Sequence, residues 1–206
     1  MYEAAMPTLN DAKAVLFDMD GVLVKSAEVW FRVVEAAGSR FRGRPITRQE
    51  FTPTFGQGTA ADIPYFGLTC TVFELDAFYV AQFVNHLDAV WVNPDARSVL
   101  ETLAARGVRR ALVTNTVGPL ASAIIERAEL TPWLETHATA DRVAEAKPAP
   151  DLVLLACREL GVAPEEAVMV GDSRFDRLAA ERAGVPFAGF GGLEGQFTLK
   201  SLRDLL

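Results

Sequence analysis

Two periods of apolar residues run through this chain. Ala14-Val-Leu-Phe17 is an unbroken apolar run of strand length that ends in two carboxylates one residue apart, Asp18 and Asp20, and then Gly21. Such a run suits a parallel strand covered on both faces. The same form returns at Arg110-Ala-Leu-Val-Thr114-Asn115 and at Glu166-Ala-Val-Met-Val-Gly171-Asp172, with shorter strands expected at 138–140 and 185–189. Between these runs a period of 3.6 predicts helices over 96–106, 120–128, 151–160 and 174–183, with Gly107, Gly161 and Gly184 as stops. Asp151 is expected to cap the third of these helices. Alternating strands and helices predict an α/β fold, a Rossmann-like three-layer core with a parallel sheet and right-handed crossovers.

The pattern changes between residues 25 and 89. Residues 27–37 carry Trp30, Val33 and Val34 on one helical face, and 38–45 read as a basic, glycine-bearing loop. Thr47-Arg-Gln-Glu50 is a capping-box pattern, Pro53 breaks the next run, and Gly56-Gln57-Gly58-Thr59 reads as a turn. Helical periodicity resumes over 73–87. The expected organisation is an α/β core from residues 1–24 and 90–206, with a small α-helical domain inserted at 25–89.

Composition narrows the function classes. A formal charge of -7 argues against nucleic acid as a partner, and no apolar stretch is long enough for a membrane span. The start Met-Tyr-Glu-Ala-Ala-Met-Pro lacks the form of a signal peptide, so a cytoplasmic location is expected. Cys70 and Cys157 lie in apolar surroundings and read as inert thiols. His86 and His137 stand singly, without a metal-ligand pattern, and Trp30, Trp91 and Trp133 read as packing residues. Gly189-Phe-Gly-Gly-Leu-Glu-Gly195 does not fit a dinucleotide fingerprint and is expected as an irregular loop at the sheet edge.

In a parallel sheet all strand carboxyl ends share one edge, where open α/β folds bind ligands. Asp18, Asp20, Thr114, Asn115 and Asp172 should therefore converge, with Lys147-Pro148 supplied by a loop. Paired carboxylates repel unless a cation relieves them, and oxygen ligands suit a hard divalent ion. The motifs Asp18-Met-Asp20-Gly21-Val-Leu, Val113-Thr114-Asn115, Ala146-Lys147-Pro148-Ala-Pro-Asp151 and Gly171-Asp172-Ser173-Arg-Phe-Asp176 resemble, in order and spacing, those of the haloacid dehalogenase superfamily. Within it they resemble the capped phosphatases and their phosphoglycolate phosphatase and β-phosphoglucomutase-like members.

That resemblance implies a Mg2+-dependent phosphatase acting on a small phosphorylated metabolite, with the domain at 25–89 in the place of the cap on a catalytic core. Asp18 would be the nucleophile and Asp20 the general acid and base. Thr114 would bind the phosphoryl group, and Lys147 would add charge against it and against Asp18. The metal would lie among Asp18, Asp172 and Asp20, the last through its backbone carbonyl. Asp176 would support the metal or hold Lys147. Ser173 would donate to the phosphate or to its own loop, and Asn115 would contact the phosphate or shape its loop. Lys25 departs from the acidic residue many capped members carry there. Arg40, Arg42, Arg44 and Arg48 read as a solvated basic face or as a contact for an anionic substrate. The alternatives are a sugar phosphomutase using the same two aspartates and, in another class, a receiver-like phosphoacceptor signalling module. A monomer or a homodimer is expected.

Overall fold

The computed structural model describes residues 11–206. The amino-terminal stretch Met1–Pro7 and the first ten residues of the expected core lie outside them. Strands β1 (Ala14–Phe17), β4 (Arg109–Thr114), β5 (Thr136–Thr139), β6 (Ala167–Gly171), β7 (Phe187–Phe190) and β8 (Phe197–Leu199) form one sheet. All neighbours are parallel, in the order β5-β4-β1-β6-β7-β8. β1 lies at the centre, with Phe17 level with Leu112 of β4 and Val170 of β6.

Both faces of β1 are buried, as its apolar run requires. Val15 and Phe17 join one core, shared with α5 (Ala96–Ala105) and α6 (Gly118–Arg127). Ala14 and Leu16 join the other, under α7 (Asp151–Leu160) and α8 (Arg174–Ala183). This is a Rossmann-like α/β fold with helices on both sides of a parallel sheet. The glycine-bearing segment after β7 is a loop as expected, but the chain then returns as β8, which takes the sheet edge. Its three residues, Phe197-Thr-Leu199, were too short a run to mark a strand.

After β1 the chain forms β2 (Val24–Lys25), which pairs antiparallel with β3 (Trp91–Val92). Between these two short strands lie α1 (Ala27–Arg42), α2 (Arg48–Phe51), α3 (Thr59–Phe66) and α4 (Val72–Phe83). The capping box at Thr47 forms as predicted, and Thr71 supplies a second one with Glu74.

Three local expectations are corrected. The loop expected at 38–45 begins only at Gly43, because α1 runs on through Gly38. A glycine stands at this helical position because the returning chain packs on it: a Cβ there would lie 2.6 Å from the Ile46 amide nitrogen. The segment read as a turn from Gly56 to Thr59 leads into α3, which carries Pro64 inside it. Asp151 is the first residue of α7 and not its cap; its carboxylate accepts from the Glu145 N–H at 3.3 Å.

Gly38→Ala leaves helix propensity intact or improves it, so its effect isolates the contact with residues 44–46. The expected result is a loss of about 1–3 kcal/mol from overpacking, read from urea unfolding; an unchanged midpoint would show that the contact yields without cost.

Candidate active site

The carboxyl edge of the sheet gathers the predicted residues. Asp18 follows β1 directly, and its N–H donates to Val170 O at 2.9 Å, continuing the ladder with β6. Thr114 ends β4, and Asp172 follows β6. Lys147 arrives from the loop before α7, where its bond to Pro148 is cis.

The centre of the site is the Lys147 ammonium, 3% exposed as a residue. It donates to Asp18 Oδ1 at 2.7 Å, to Asp176 Oδ1 at 2.6 Å and to the Val113 carbonyl at 3.0 Å. These use its three N–H bonds. Burial alone would lower its pKa, but the Asp176 and Asp18 carboxylates outweigh that and hold it above the usual lysine value. The remaining oxygen of Asp176 accepts from Ser173 N–H at 3.1 Å and from the Ser173 hydroxyl. Asp176 thus bridges Lys147 and Ser173, and Ser173 Oγ in turn caps α8 by accepting from the Asp176 N–H at 3.3 Å.

Carboxylate oxygens of Asp18, Asp172 and Asp176 come within 4.8 Å of one another. Burial raises the pKa of Asp18 most, followed by repulsion from Asp176; Lys147 opposes this, and Asp172 and Asp20 add to it. Asp172 is pushed up to about 7, by burial and then by Asp176. One ammonium thus faces a surplus of buried carboxylate. An all-oxygen, anionic donor set of this kind suits a hard divalent cation. Gly21 makes the approach of Asp172 possible. Its φ is +101°, and a Cβ on it would fall 1.8 Å from Asp172 Oδ2.

The Asp20 carboxylate is not one of those three; it has its own donors. Oδ1 accepts from the Ser26 hydroxyl and from Trp30 Nε1 at 3.0 Å, and Oδ2 accepts from Thr116 Oγ1 at 3.3 Å. Burial raises the pKa of Asp20, while the Ser26 and Trp30 hydrogen bonds pull it back. Sequence reasoning missed all three donors. Trp30 was read as a packing residue, and it does pack on Tyr79 and Phe83, with centroids at 5.5 and 4.8 Å. Its ring nitrogen also needs an acceptor, the one signal that could have pointed to a polar role.

Asn115 ties the edge together. Its amide donates to Gly56 O at 3.0 Å and Lys147 O at 2.9 Å, and its oxygen accepts from Lys147 N–H at 2.8 Å. Both side-chain N–H groups are thereby used on backbone carbonyls. Thr114 Oγ1 accepts from Thr116 N–H at 3.1 Å, which leaves its own O–H to donate.

A cavity opens over these groups. Asp18, Asp20, Thr114, Asn115 and Thr116 form its floor, and Trp30, Phe51, Phe55, Gln57, Asp62 and Tyr79 of the inserted helices form much of the facing wall. The four arginines read as a basic run lie elsewhere. Arg42 and Arg44 pair with Glu50, Arg48 pairs with Glu28, and Arg40 stacks over Phe41. Lys25 stacks over Trp91 at 4.6 Å, also away from the cavity.

Clustered carboxylates and a buried lysine at the carboxyl edge of a Rossmann-like parallel sheet make a hydrolase centre of the haloacid dehalogenase kind. A family model described as haloacid dehalogenase-like hydrolase matches residues 12–184. The chain belongs to that family, and is an enzyme of its hydrolase class. It is 26% identical over 191 residues to the phosphoglycolate phosphatase of Escherichia coli (strain K12), covering 92% of this chain and 70% of that one. The structure of CbbY from Rhodobacter sphaeroides in complex with phosphate superposes with a TM-score of 0.83 at 25% identity, covering 94% and 96% of the two chains. β-Phosphoglucomutase from Clostridium difficile shares the fold, with a TM-score of 0.83 at 16% identity and coverage of 95% and 93%.

Removing the indole N–H by Trp30→Phe keeps the aromatic packing and deletes a bond that lowers the Asp20 pKa. Asp20 should then titrate at higher pH than in the parent, followed by carboxyl carbon-13 shifts; an unmoved titration would show that the indole has no hold on it.

Proposed function

We propose that this chain is a Mg2+-dependent phosphatase that hydrolyses a small phosphorylated metabolite through an aspartyl-phosphate on Asp18. The observation that carries this reading is the Lys147 ammonium, buried and shared between Asp18 and Asp176 beside a second held carboxylate, Asp20. An Asp18 oxygen attacks phosphorus while the bond from phosphorus to the leaving oxygen breaks, and Asp20 delivers a proton to that oxygen. Asp20 then takes a proton from water as the water oxygen attacks phosphorus. The bond to Asp18 breaks and inorganic phosphate leaves. Lys147 offsets charge on Asp18 and on the phosphoryl oxygens, and Thr114 donates its hydroxyl to one of them.

A bound magnesium ion would add positive charge against the same oxygens. Asp18 and Asp172 would hold it, with the backbone carbonyl of Asp20, and Asp176 would stand behind them. Residues 25–89 would serve as a cap over a core formed by 1–24 and 90–206, its helices supplying the cavity wall opposite the reacting carboxylates.

Purified protein with Mg2+ should release inorganic phosphate from p-nitrophenyl phosphate. Asp18→Asn should lower the rate by at least about 1,000-fold, since the covalent route is lost. Phosphate release that persists in Asp18→Asn rules out the aspartyl-phosphate, and isomerised sugar phosphate without phosphate release replaces this reading with a phosphomutase. Chelation with EDTA should abolish turnover and added Mg2+ restore it. Full activity after chelation would remove the metal from the scheme.

A further inference from the structure

The cavity wall contributed by the inserted helices has a charge character that speaks to the substrate. Two carboxylates stand in it, Asp62 of α3 and Asp76 of α4. Asp62 is buried, and its partners are neutral: Gln57 Nε2 donates to it at 2.6 Å and the Tyr79 hydroxyl at 2.8 Å. Burial pushes its pKa up to about 6, so the carboxylate is ionised but poorly compensated at neutral pH. Asp76 is half-buried and bonded to Thr59, and it feels further repulsion from Asp141. Among the described residues no lysine, arginine or histidine lines the cavity. Arg42, Arg44 and Arg48 of the inserted segment pair with Glu50 and Glu28, Lys25 stacks over Trp91, and Lys147 has its three donors on Asp18, Asp176 and a carbonyl.

The wall also carries four aromatic rings, those of Trp30, Phe51, Phe55 and Tyr79, among apolar and neutral polar residues. Ring faces attract cations and offer an anion nothing. A leaving group with a second anionic group would meet the Asp62 and Asp76 carboxylates on this wall, which, unlike the floor beside Lys147, has no cationic side chain among its described lining residues. An ammonium is the end group that such carboxylates and rings favour.

Resting on the phosphatase reading, we infer that the substrate is a phosphomonoester whose leaving group ends in a positively charged amine and carries no second anion. The phosphoglycolate phosphatase of Escherichia coli is named for a substrate with a carboxylate at that end. This chain would depart from it in leaving-group charge while keeping the chemistry at Asp18.

Three two-carbon phosphomonoesters that differ only at the far end isolate this property: O-phosphoethanolamine, 2-hydroxyethyl phosphate and 2-phosphoglycolate. With p-nitrophenyl phosphate as the reference for turnover, kcat/KM should fall in that order, by about 10-fold or more from first to last. Asp62→Asn and Asp76→Asn should each narrow the ratio of first to last by roughly 3-fold or more. Asp76, being half-buried, keeps the test open if Asp62→Asn fails to fold. Should 2-phosphoglycolate match or exceed the amine while the reference ester is hydrolysed, the charge inference falls and the phosphatase reading stands. A ratio unmoved in folded variants of both residues removes the carboxylates from specificity. No hydrolysis of the reference ester would overturn the phosphatase reading and this inference with it.

Discussion

A lysine ammonium sealed between two carboxylates sets the terms for everything around it. Desolvating Lys147 is costly, and its three short donor contacts make that burial tolerable. Deleting one partner of such a buried arrangement typically costs about 3–5 kcal/mol, because the remaining charges stay buried. The constraint propagates outward. Asp176 gives one oxygen to the ammonium and the other to the Ser173 N–H and hydroxyl, while Ser173 Oγ caps α8 by accepting from the Asp176 N–H. The loop that delivers Lys147 must be fixed, so Asn115 binds both its N–H and its carbonyl. The strand ends supply the geometry, and the lysine keeps their charges from driving one another apart.

The inserted helices reach this edge at separate places. Ser26 and Trp30, at the start of α1, fasten the Asp20 carboxylate. Gly56, in the loop before α3, accepts from Asn115. The same inserted segment that lines the cavity therefore also fixes the Asp20 carboxyl group below it. Orientation of Asp20 and shape of the cavity are set by one group of side chains, so a change in either reaches the other.

Much of the sheet was legible from the sequence because a doubly covered parallel strand leaves an unmistakable apolar run, as at Ala14–Phe17 and Val168–Val170. The convergence of Asp18, Thr114 and Asp172 followed from topology alone, without side-chain detail. Other features were hidden for physical reasons. Gly38 looked like a helix breaker, and only the packed backbone at Ile46 explains why a glycine sits within α1. Helix α3 was masked by Pro64 and by the glycines before it. β2 and β3 pair over two residues each, too few to show any period. The partners of Asp20 were invisible because a tryptophan on an apolar helical face advertises its ring and not its single N–H. The charge character of the wall depended on which of many acidic side chains turn inward, and that is decided by tertiary packing.

The close fit of Gly21 under Asp172 ties together two positions far apart in the chain. The volume a methyl group would need at one is filled by the carboxylate of the other. Two separate restrictions thus fall on residue 21, its positive φ and the Asp172 carboxylate beside it. A lineage that gave up the acid would relax only one of them, since the left-handed backbone would still favour glycine, so loss of function here should leave the glycine behind as a relic of the abandoned site.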